Sequence, residues 1–324
     1  EIMPSLVGSE MCIRDRSYNL FKFYMRGIYP RIYLKMIKNR STWLLLSPGI
    51  ILFLILLVAP ITNILDESLR LFEPGRIGAA KDAPYTLFNY IELIDPAYFF
   101  YLFETFRFGI ICSLISLIIA FPIAYTIARQ KSPLFRKLSI GFLIGMMFLN
   151  TLVRVYAMQL TFGPTGYAKF ITGIFDISPN GRTYTEIIVM LGLLHYLIPI
   201  SALTLIGTIQ NINPRLTEAA QVLGSSRLKS HLTITVPLCI PGILSAFLIC
   251  FTLCLSAFVV PMVLGKGKVL FISNLIYARF SEIANYPSGS AVSIIMLVVS
   301  LGTIFIITRF VSSRWLSLIH ISEP

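Results

Sequence analysis

Six long runs of apolar residues constrain this chain more than any other feature of its sequence. Each run is long enough to cross about 30 Å of hydrocarbon as a helix. Because every backbone amide in lipid must be paired internally, we predict helices and not an open sheet. The predicted spans are Trp43–Leu65, Phe108–Ala128, Leu138–Phe162, Ile187–Ile209, Leu238–Leu264 and Asn285–Thr308. The expected fold class is therefore an all-α, polytopic membrane protein with six transmembrane helices.

The composition supports this class and argues against a nucleic-acid-binding protein. Hydrophobic residues make up 56% of the chain and charged residues 13%, against about 25% charged residues in typical soluble domains. The formal net charge is +12, but the basic residues flank the apolar runs, where membrane topology accounts for them. We therefore expect membrane lipid as a partner and no nucleic acid.

The distribution of Lys and Arg predicts the orientation of the spans. With the N-terminus inside the cell, the cytoplasmic pieces carry fifteen Lys and Arg residues and the opposite loops carry eight. Since cytoplasmic loops carry the excess of basic residues, we expect an N-in, C-in protein. This orientation places the polar stretch 211–237 in the cytoplasm. It also places the basic segment 17–42 along the anionic inner leaflet.

The two ends of the chain resemble translated sequencing-adapter sequence. Residues 1–16 include the run SLVGSEMCIRDR, and residues 317–324 read SLIHISEP. We exclude both from reasoning about the fold. Between them we predict the basic N-terminal segment 17–42 and one transmembrane domain, 43–316, which contains the loop 211–237.

The stretch 211–237 is predicted to fold as two short helices joined by a glycine turn. The residues expected to cap, turn and end these helices are Asn213, Pro214, Gly224, Ser225 or Ser226, and Pro237. Asn213 and Pro214 suit the start of a helix, and Gly224 suits its left-handed terminator. Pro237 is expected to limit the second helix before the fifth span.

The same stretch carries the most specific motif in the chain. Its positions are Glu218, Ala219 and Ala220, three residues, Gly224, nine residues, Ile234, one residue, and then Val236-Pro237. This spacing resembles the EAA loop of importer-type ABC permeases, with Val236 in place of the usual Leu. The alternative interpretation is a plain connector between two spans.

The resemblance implies a type I ABC importer permease fold and a mechanical role for the loop. In that family the loop seats in a groove of a separate ATPase and transmits its closure to the spanning helices. By position, Glu218 would make the polar contact, Ala219 and Ala220 the close-packed contact, and Gly224 the turn.

Three further stretches narrow the resemblance to one subfamily. They read NTLVRVYA at 150–157, AFVVPMVLG at 257–265 and NYPSGSA at 285–291. These stretches resemble the first permease subunit of spermidine/putrescine-type systems. The resemblance implies import of a polyamine, and the same subfamily also contains importers of iron, phosphonate, opine and other small solutes.

The resemblance also implies a location and a set of partners. The chain is expected in the bacterial inner membrane beside a second permease subunit. A cytoplasmic ABC ATPase dimer and a periplasmic substrate-binding protein would complete the machine. ATP and Mg would bind the ATPase, so no cofactor is expected on this chain.

The chain itself shows no catalytic constellation. The phosphate-binding pattern Gly-x4-Gly-Lys-Ser/Thr is absent from the sequence, and no nucleophile–base grouping or metal-ligand set is evident. We therefore expect a non-catalytic transport subunit. An ion-driven secondary transporter and a membrane enzyme are the alternative classes, but the former often relies on intramembrane carboxylates, and the spans contain no clear one.

Three residues are candidates for a translocation path: Arg154, Tyr156 and His195. An ionised side chain at mid-bilayer costs on the order of 3 kcal/mol, so it usually faces a cavity or a partner. Arg154 interrupts the third span and either lines the path or anchors the helix near the outer interface. His195 interrupts the fourth span and either faces the path or is a hydrogen-bonded structural histidine.

The first outer loop is rich in carboxylates. They are Asp66, Glu67, Glu73, Asp82, Glu92, Asp95 and Glu104. An acidic vestibule of this kind would concentrate a polycation by electrostatic attraction. The same charges would also serve to dock a binding protein or to solvate the loop.

Overall fold

A computed structural model describes residues 40–79, 83–163, 166–167, 178 and 180–319. The adapter-like segment 1–16 and nearly all of the basic segment 17–42 lie outside the described residues. The longer helices are α1 (Arg40–Ser68), α3 (Pro96–Ala128), α4 (Pro133–Phe148), α5 (Thr151–Phe162), α6 (Arg182–Gln210), α9 (Val236–Leu255) and α12 (Tyr286–Ile319). The shorter ones are α2 (Phe88–Glu92), α7 (Arg215–Val222), α8 (Arg227–Ser230), α10 (Val259–Leu264) and α11 (Ile272–Tyr277). Two π-helical segments, His231–Thr235 and Ala278–Glu282, complete the order.

The first compact unit of the chain ends at Asn63. Its described part is the larger portion of α1, whose apolar side chains are exposed around the whole helix. An 18-residue window within Leu44–Ser68 has a mean hydropathy of 2.7. A helix that is apolar on all sides is typical of a membrane span, so the first predicted span is confirmed.

The second unit begins at Ile64 and has its core between α3, α6 and α9. Phe108, Leu193, Leu197 and Phe251 are fully buried there. Two small hydroxyls join the helices at the centre, since Ser201 Oγ lies 3.0 Å from Ser116 Oγ on α3 and 3.0 Å from Cys250 Sγ on α9. Small polar side chains of this kind let membrane helices approach closely and pair across the interface.

The described helices provide the expected number of spans, with one of them bent. Five helices are long and apolar enough to cross a membrane, and a sixth span results if α4 and α5 are counted together. The span predicted as one helix over 138–162 is divided into two helices, because α4 and α5 meet at 89°. Leu149 is extended, and the Asn150 side chain accepts a hydrogen bond from Leu152 N at 2.8 Å, which caps a new helix.

Two other predicted boundaries are also wrong. The second span starts at Pro96 instead of Phe108, because Asp95 caps the helix by accepting from Ala97 N at 2.8 Å. The helix predicted over 238–264 ends at Leu255, and the separate α10 follows it. Ser273 Oγ donates to Ala257 O at 2.7 Å, and Asn274 Nδ2 donates to Phe258 O at 3.2 Å. These two bonds satisfy carbonyls freed where the helix breaks.

Candidate functional site

The coupling segment, residues 211–237, begins with a well-formed helix and turn. Asn213 Oδ1 accepts a hydrogen bond from Arg215 N at 3.0 Å, as expected of a cap at the start of α7. After α7 the backbone turns at Gly224, whose φ is +87°. Ser225 N donates to Ala220 O and Gly224 N donates to Gln221 O, each at 3.0 Å. These are the two bonds of a Schellman motif, so the predicted left-handed glycine terminator is confirmed.

The second half of the coupling segment continues directly into α9. Ser226 Oγ accepts from Lys229 N at 3.3 Å and caps α8, in agreement with one of the two predicted caps. The π-helical segment His231–Thr235 follows, and Val236 N donates to His231 O. The prediction that Pro237 ends a helix is wrong, because Pro237 lies in the first turn of α9. In membrane helices proline is tolerated where local π-helical adjustment re-satisfies the freed backbone groups, and the π-helical segment directly precedes Pro237.

The motif residues of the coupling segment lie largely on its surface. Glu218, Ala219 and Gly224 are exposed, whereas Ala220, Ile234 and Pro237 are half-buried. The neighbouring apolar side chains are also exposed: Leu216 by 46%, Val222 by 87% and Leu223 by 89%. A polar loop that presents large apolar side chains around an alanine pair is typical of a protein-docking surface.

Arg154 does not face open space in this structure. Its side chain is only 5% exposed, and its Nη2 donates to Met146 O at 2.8 Å and to Leu149 O at 2.9 Å. These carbonyls end α4 at the 89° bend. The guanidinium also lies 5.8 Å from the centroid of the Tyr196 ring. The contacts give Arg154 a structural role at the bend, and a role in the translocation path stays a prediction.

His195 lines a large apolar cavity between α3, α4 and α6. The cavity has a volume of about 880 Å³. Its wall is formed by Ile119, Pro122, Ile123, Thr126, Ile127, Phe135, Leu138, Ser139, Phe142, Leu143, Met146, His195, Ile198 and Pro199. The His195 Nδ1 atom is buried and has no hydrogen-bond partner. Tyr156 is 55% exposed on α5 and is not among these lining residues, so the structure does not bring the three candidate path residues into one site.

The acidic residues of the first outer loop mostly have partners within the protein. Asp66 pairs with Arg70 at 2.8 Å, Glu67 accepts from Ala79 N at 2.6 Å, and Glu92 pairs with Arg279 at 3.0 Å. Asp95 caps α3. Glu73 is exposed, and Asp82 lies outside the described residues. Most of the described carboxylates of this loop therefore stabilise the local structure and are not left free to bind a cation.

A ring of four ion pairs, which sequence reasoning missed, joins the N-terminal parts of α3 and α6. Arg107 lies 3.0 Å from Glu104 and 3.1 Å from Glu186, while Arg182 lies 2.9 Å from Glu104 and 3.0 Å from Glu186. Glu104 is only 2% exposed. The sequence contained one signal for this ring, namely the oppositely charged pairs Glu104–Arg107 at i,i+3 spacing and Arg182–Glu186 at i,i+4 spacing.

Residues 265–268 form a tight turn after α10. Lys266 and Gly267 have positive φ values of 48° and 73°, and Lys268 N donates to Gly265 O at 2.8 Å. Partial burial, and then the charge of Lys268, lower the pKa of Lys266. Within the described residues, no three His, Cys, Asp or Glu side chains cluster in a way that would hold a metal ion.

The helical bundle and its exposed helix–turn–helix segment define a membrane transport subunit, and sequence comparison identifies the family. Residues 109–316 match the family described as binding-protein-dependent transport system inner membrane component. The match covers more than half of the chain, so the chain belongs to this family. It is therefore a multi-pass inner-membrane permease.

Individual relatives agree with the family. The chain is 32% identical over 218 residues to the spermidine/putrescine transport system permease protein PotB of Escherichia coli, which covers 66% of this chain and 78% of the relative. It is 31% identical over 230 residues to the permease of the same name from Haemophilus influenzae, covering 70% and 79% of the two chains. The fold is similar to that of a bacterial alginate ABC transporter crystallised with an alginate pentasaccharide-bound periplasmic protein. In that case the TM-score is 0.68, the identity 18%, and the coverage 88% of this chain and 98% of the other.

Proposed function

We propose that this chain is the membrane-spanning subunit of an ATP-driven importer whose solute is a polyamine of the spermidine/putrescine type. The observation that carries the transport role is the coupling segment. It presents the EAA motif on an exposed helix and a glycine turn, and the helical run that follows the turn, 227–255, includes the spanning helix α9. A force on the exposed helix is thereby transmitted to a spanning helix.

The solute is inferred from the relatives. Both relatives carry names that specify spermidine/putrescine transport. The one cation buried near the cavity wall, among the described residues, is Arg154, and its Nη2 is directed to backbone carbonyls at the bend. Arg154 is also not among the residues that line the cavity.

The partners follow from the same proposal. A cytoplasmic ATPase dimer would bind the coupling segment, hydrolyse ATP and hold the nucleotide and Mg, so this chain performs no chemistry. A second permease subunit and a periplasmic substrate-binding protein complete the importer. The chain would be oriented N-in and C-in, as the distribution of basic residues indicates.

The test is the ATPase rate of the complex purified with its ATPase and second permease. We expect the rate to rise when the spermidine-loaded binding protein is added, and to rise less with the unloaded protein. A rate that is the same in the absence and presence of the loaded protein would contradict the importer assignment. Stimulation by a binding protein loaded with a different solute, but not with spermidine or putrescine, would contradict the solute assignment alone.

A further inference from the structure

Helix α3 contacts the coupling segment at the point where the segment begins. Arg129, at the C-terminal end of α3, donates from Nη2 to Ile209 O at 3.0 Å and to Ile212 O at 2.6 Å. Ile209 belongs to the last turn of α6, and Ile212 lies in the turn that enters the segment. The guanidinium therefore fixes the carbonyl end of α6, where the helix dipole favours a positive charge.

The same helix contacts the coupling segment where the segment ends. Tyr125 lies one helical turn before Arg129, and its ring meets the His231 ring edge-on, with centroids 4.7 Å apart and planes at 67°. His231 is the first residue of the π-helical segment, and its Nδ1 lies 3.2 Å from Thr235 Oγ1. Thr235 is buried, so the imidazole is held between α3 and the start of α9.

These two contacts belong to one structure. The Arg129 guanidinium lies 6.0 Å from the centroid of the Tyr125 ring, within the range of a cation–π interaction. Arg129, Tyr125 and His231 thus form a continuous group, which we name the basal clamp. It joins both ends of the coupling segment to one spanning helix.

We propose that the basal clamp makes the coupling segment move as one body with α3, so that Arg129, Tyr125 and His231 are positioning residues for ATP-driven transport. The inference rests on the proposed function. A push on α7 reaches the spanning helices through the non-helical turn at 211–214 and, beyond the Gly224 turn, through the π-helical segment at 231–235, and the basal clamp contacts the first and the last of these three places. Hydrogen bonds from a charged donor are stronger than neutral ones, and two such bonds from Arg129 hold the turn at 211–214 against α3. The edge-on pair of Tyr125 and His231, worth about 0.5–1.5 kcal/mol beyond its buried area, holds the π-helical segment against α3.

The clamp is distinguished from a purely structural cap by the amount of solute moved for each ATP hydrolysed. Loss of a cap lowers the amount of assembled complex and leaves this ratio unchanged. Loss of a positioning contact lets the ATPase turn over while the spans respond less, so the ratio falls. A coupling free energy in the usual range corresponds to a change of roughly 5-fold or more.

The experiment uses the complete complex in proteoliposomes, with radiolabelled spermidine and its binding protein. Uptake and ATP hydrolysis are measured together for Arg129→Gln, Tyr125→Leu and Tyr125→Phe. Lys131→Gln is the matched control, because it removes the same charge from an exposed residue of the neighbouring turn. We expect Arg129→Gln and Tyr125→Leu to lower the uptake per ATP about 5-fold or more. Tyr125→Phe, which retains the ring, and Lys131→Gln should keep the wild-type ratio.

Each failure has its own result. Wild-type uptake together with unchanged ratios in Arg129→Gln and Tyr125→Leu would overturn the clamp and leave the proposed function standing. A fall in assembled complex with an unchanged ratio would also overturn it, in favour of a structural cap. A wild-type complex that shows no ATP-driven uptake would overturn the proposed function, and the clamp with it. If Arg129→Gln does not assemble, the Tyr125→Leu and Tyr125→Phe pair decides the question.

Discussion

Gly224 has the most demanding backbone of any residue in the coupling segment. Its φ of +87° is in the left-handed region, and no atom lies within 4 Å of the place where a Cβ would be. The requirement for glycine is therefore conformational and not a matter of space. Left-handed backbone costs other residues about 1–2 kcal/mol, and Asn less than most.

We predict that Gly224→Val reduces solute uptake strongly while the protein remains inserted in the membrane. Gly224→Asn should retain most of the uptake, because Asn tolerates the left-handed region. Gly302→Val is the control for added bulk, since Gly302 also has nothing within 4 Å and has no positive φ. Uptake and membrane content are measured for all three variants. Normal uptake by a stably inserted Gly224→Val would show that the turn does not couple the ATPase to the spans.

At the same scale, the buried carboxylate Glu104 holds two arginines. Glu104→Gln removes its charge and leaves Arg107 and Arg182 with Glu186 as their remaining carboxylate. We predict a loss of about 1–3 kcal/mol in the free energy of unfolding, visible as a lower melting temperature in detergent. The control Asp66→Asn breaks an exposed pair, with Asp66 48% exposed, and should cost about 0–1 kcal/mol. Equal effects of the two variants would contradict the structural role of the ring.

At the scale of elements, the bend between α4 and α5 depends on a few polar groups. Asn150 starts the second helix, and Arg154 satisfies two carbonyls at the end of the first. Unsatisfied carbonyls are expensive in a bilayer, where no water replaces the lost partner. The bend is therefore a specified feature of the span and not a consequence of flexibility.

We predict that Arg154→Ala destabilises the protein by about 1–3 kcal/mol, because it leaves two buried carbonyls without a donor. Thermal unfolding of the purified chain measures this loss, and the half-exposed Arg136→Ala variant corrects for removal of an arginine from the same span. A change in the selectivity among solutes, with the melting temperature unchanged, would instead place Arg154 in the translocation path.

The elements also show which parts of the structure can be predicted from local sequence rules. The cap at Asn213 and the turn at Gly224 were predictable because both depend on residues within one or two turns of each other. The break at 149–150 was not predicted. An unbroken apolar run does not indicate whether the chain continues one helix or ends it and caps a new one. The pairing of Glu104 with Arg182 joins residues 78 positions apart, and the acceptors of Arg129 are backbone carbonyls. Neither has a local signature, so neither was predictable.

At the scale of the whole molecule, the apolar helices define a membrane subunit, and the basic loops predict its orientation. The family assignment, the bundle of α3, α6 and α9, and the exposed coupling segment agree with one another. Orientation is the property that the positive charges predict and that the helices alone do not determine.

We predict that a cysteine at Lys131 is labelled by a membrane-impermeant maleimide only after permeabilisation of right-side-out spheroplasts. A cysteine at Glu73 should be labelled from the outside, since the two exposed positions lie on opposite faces in the N-in, C-in arrangement. Cys12→Ser provides the background, and the four other cysteines are buried. The reverse labelling pattern would place the coupling segment outside the cell.

The most direct test of the proposed importer function is whether transport depends on a separate ATPase. Spermidine uptake is measured in proteoliposomes that contain the two permeases, with the binding protein supplied outside, in the presence and absence of the ATPase inside. We predict ATP-dependent uptake only when the ATPase is present. Uptake at the same rate without the ATPase, driven by an ion gradient, would contradict it.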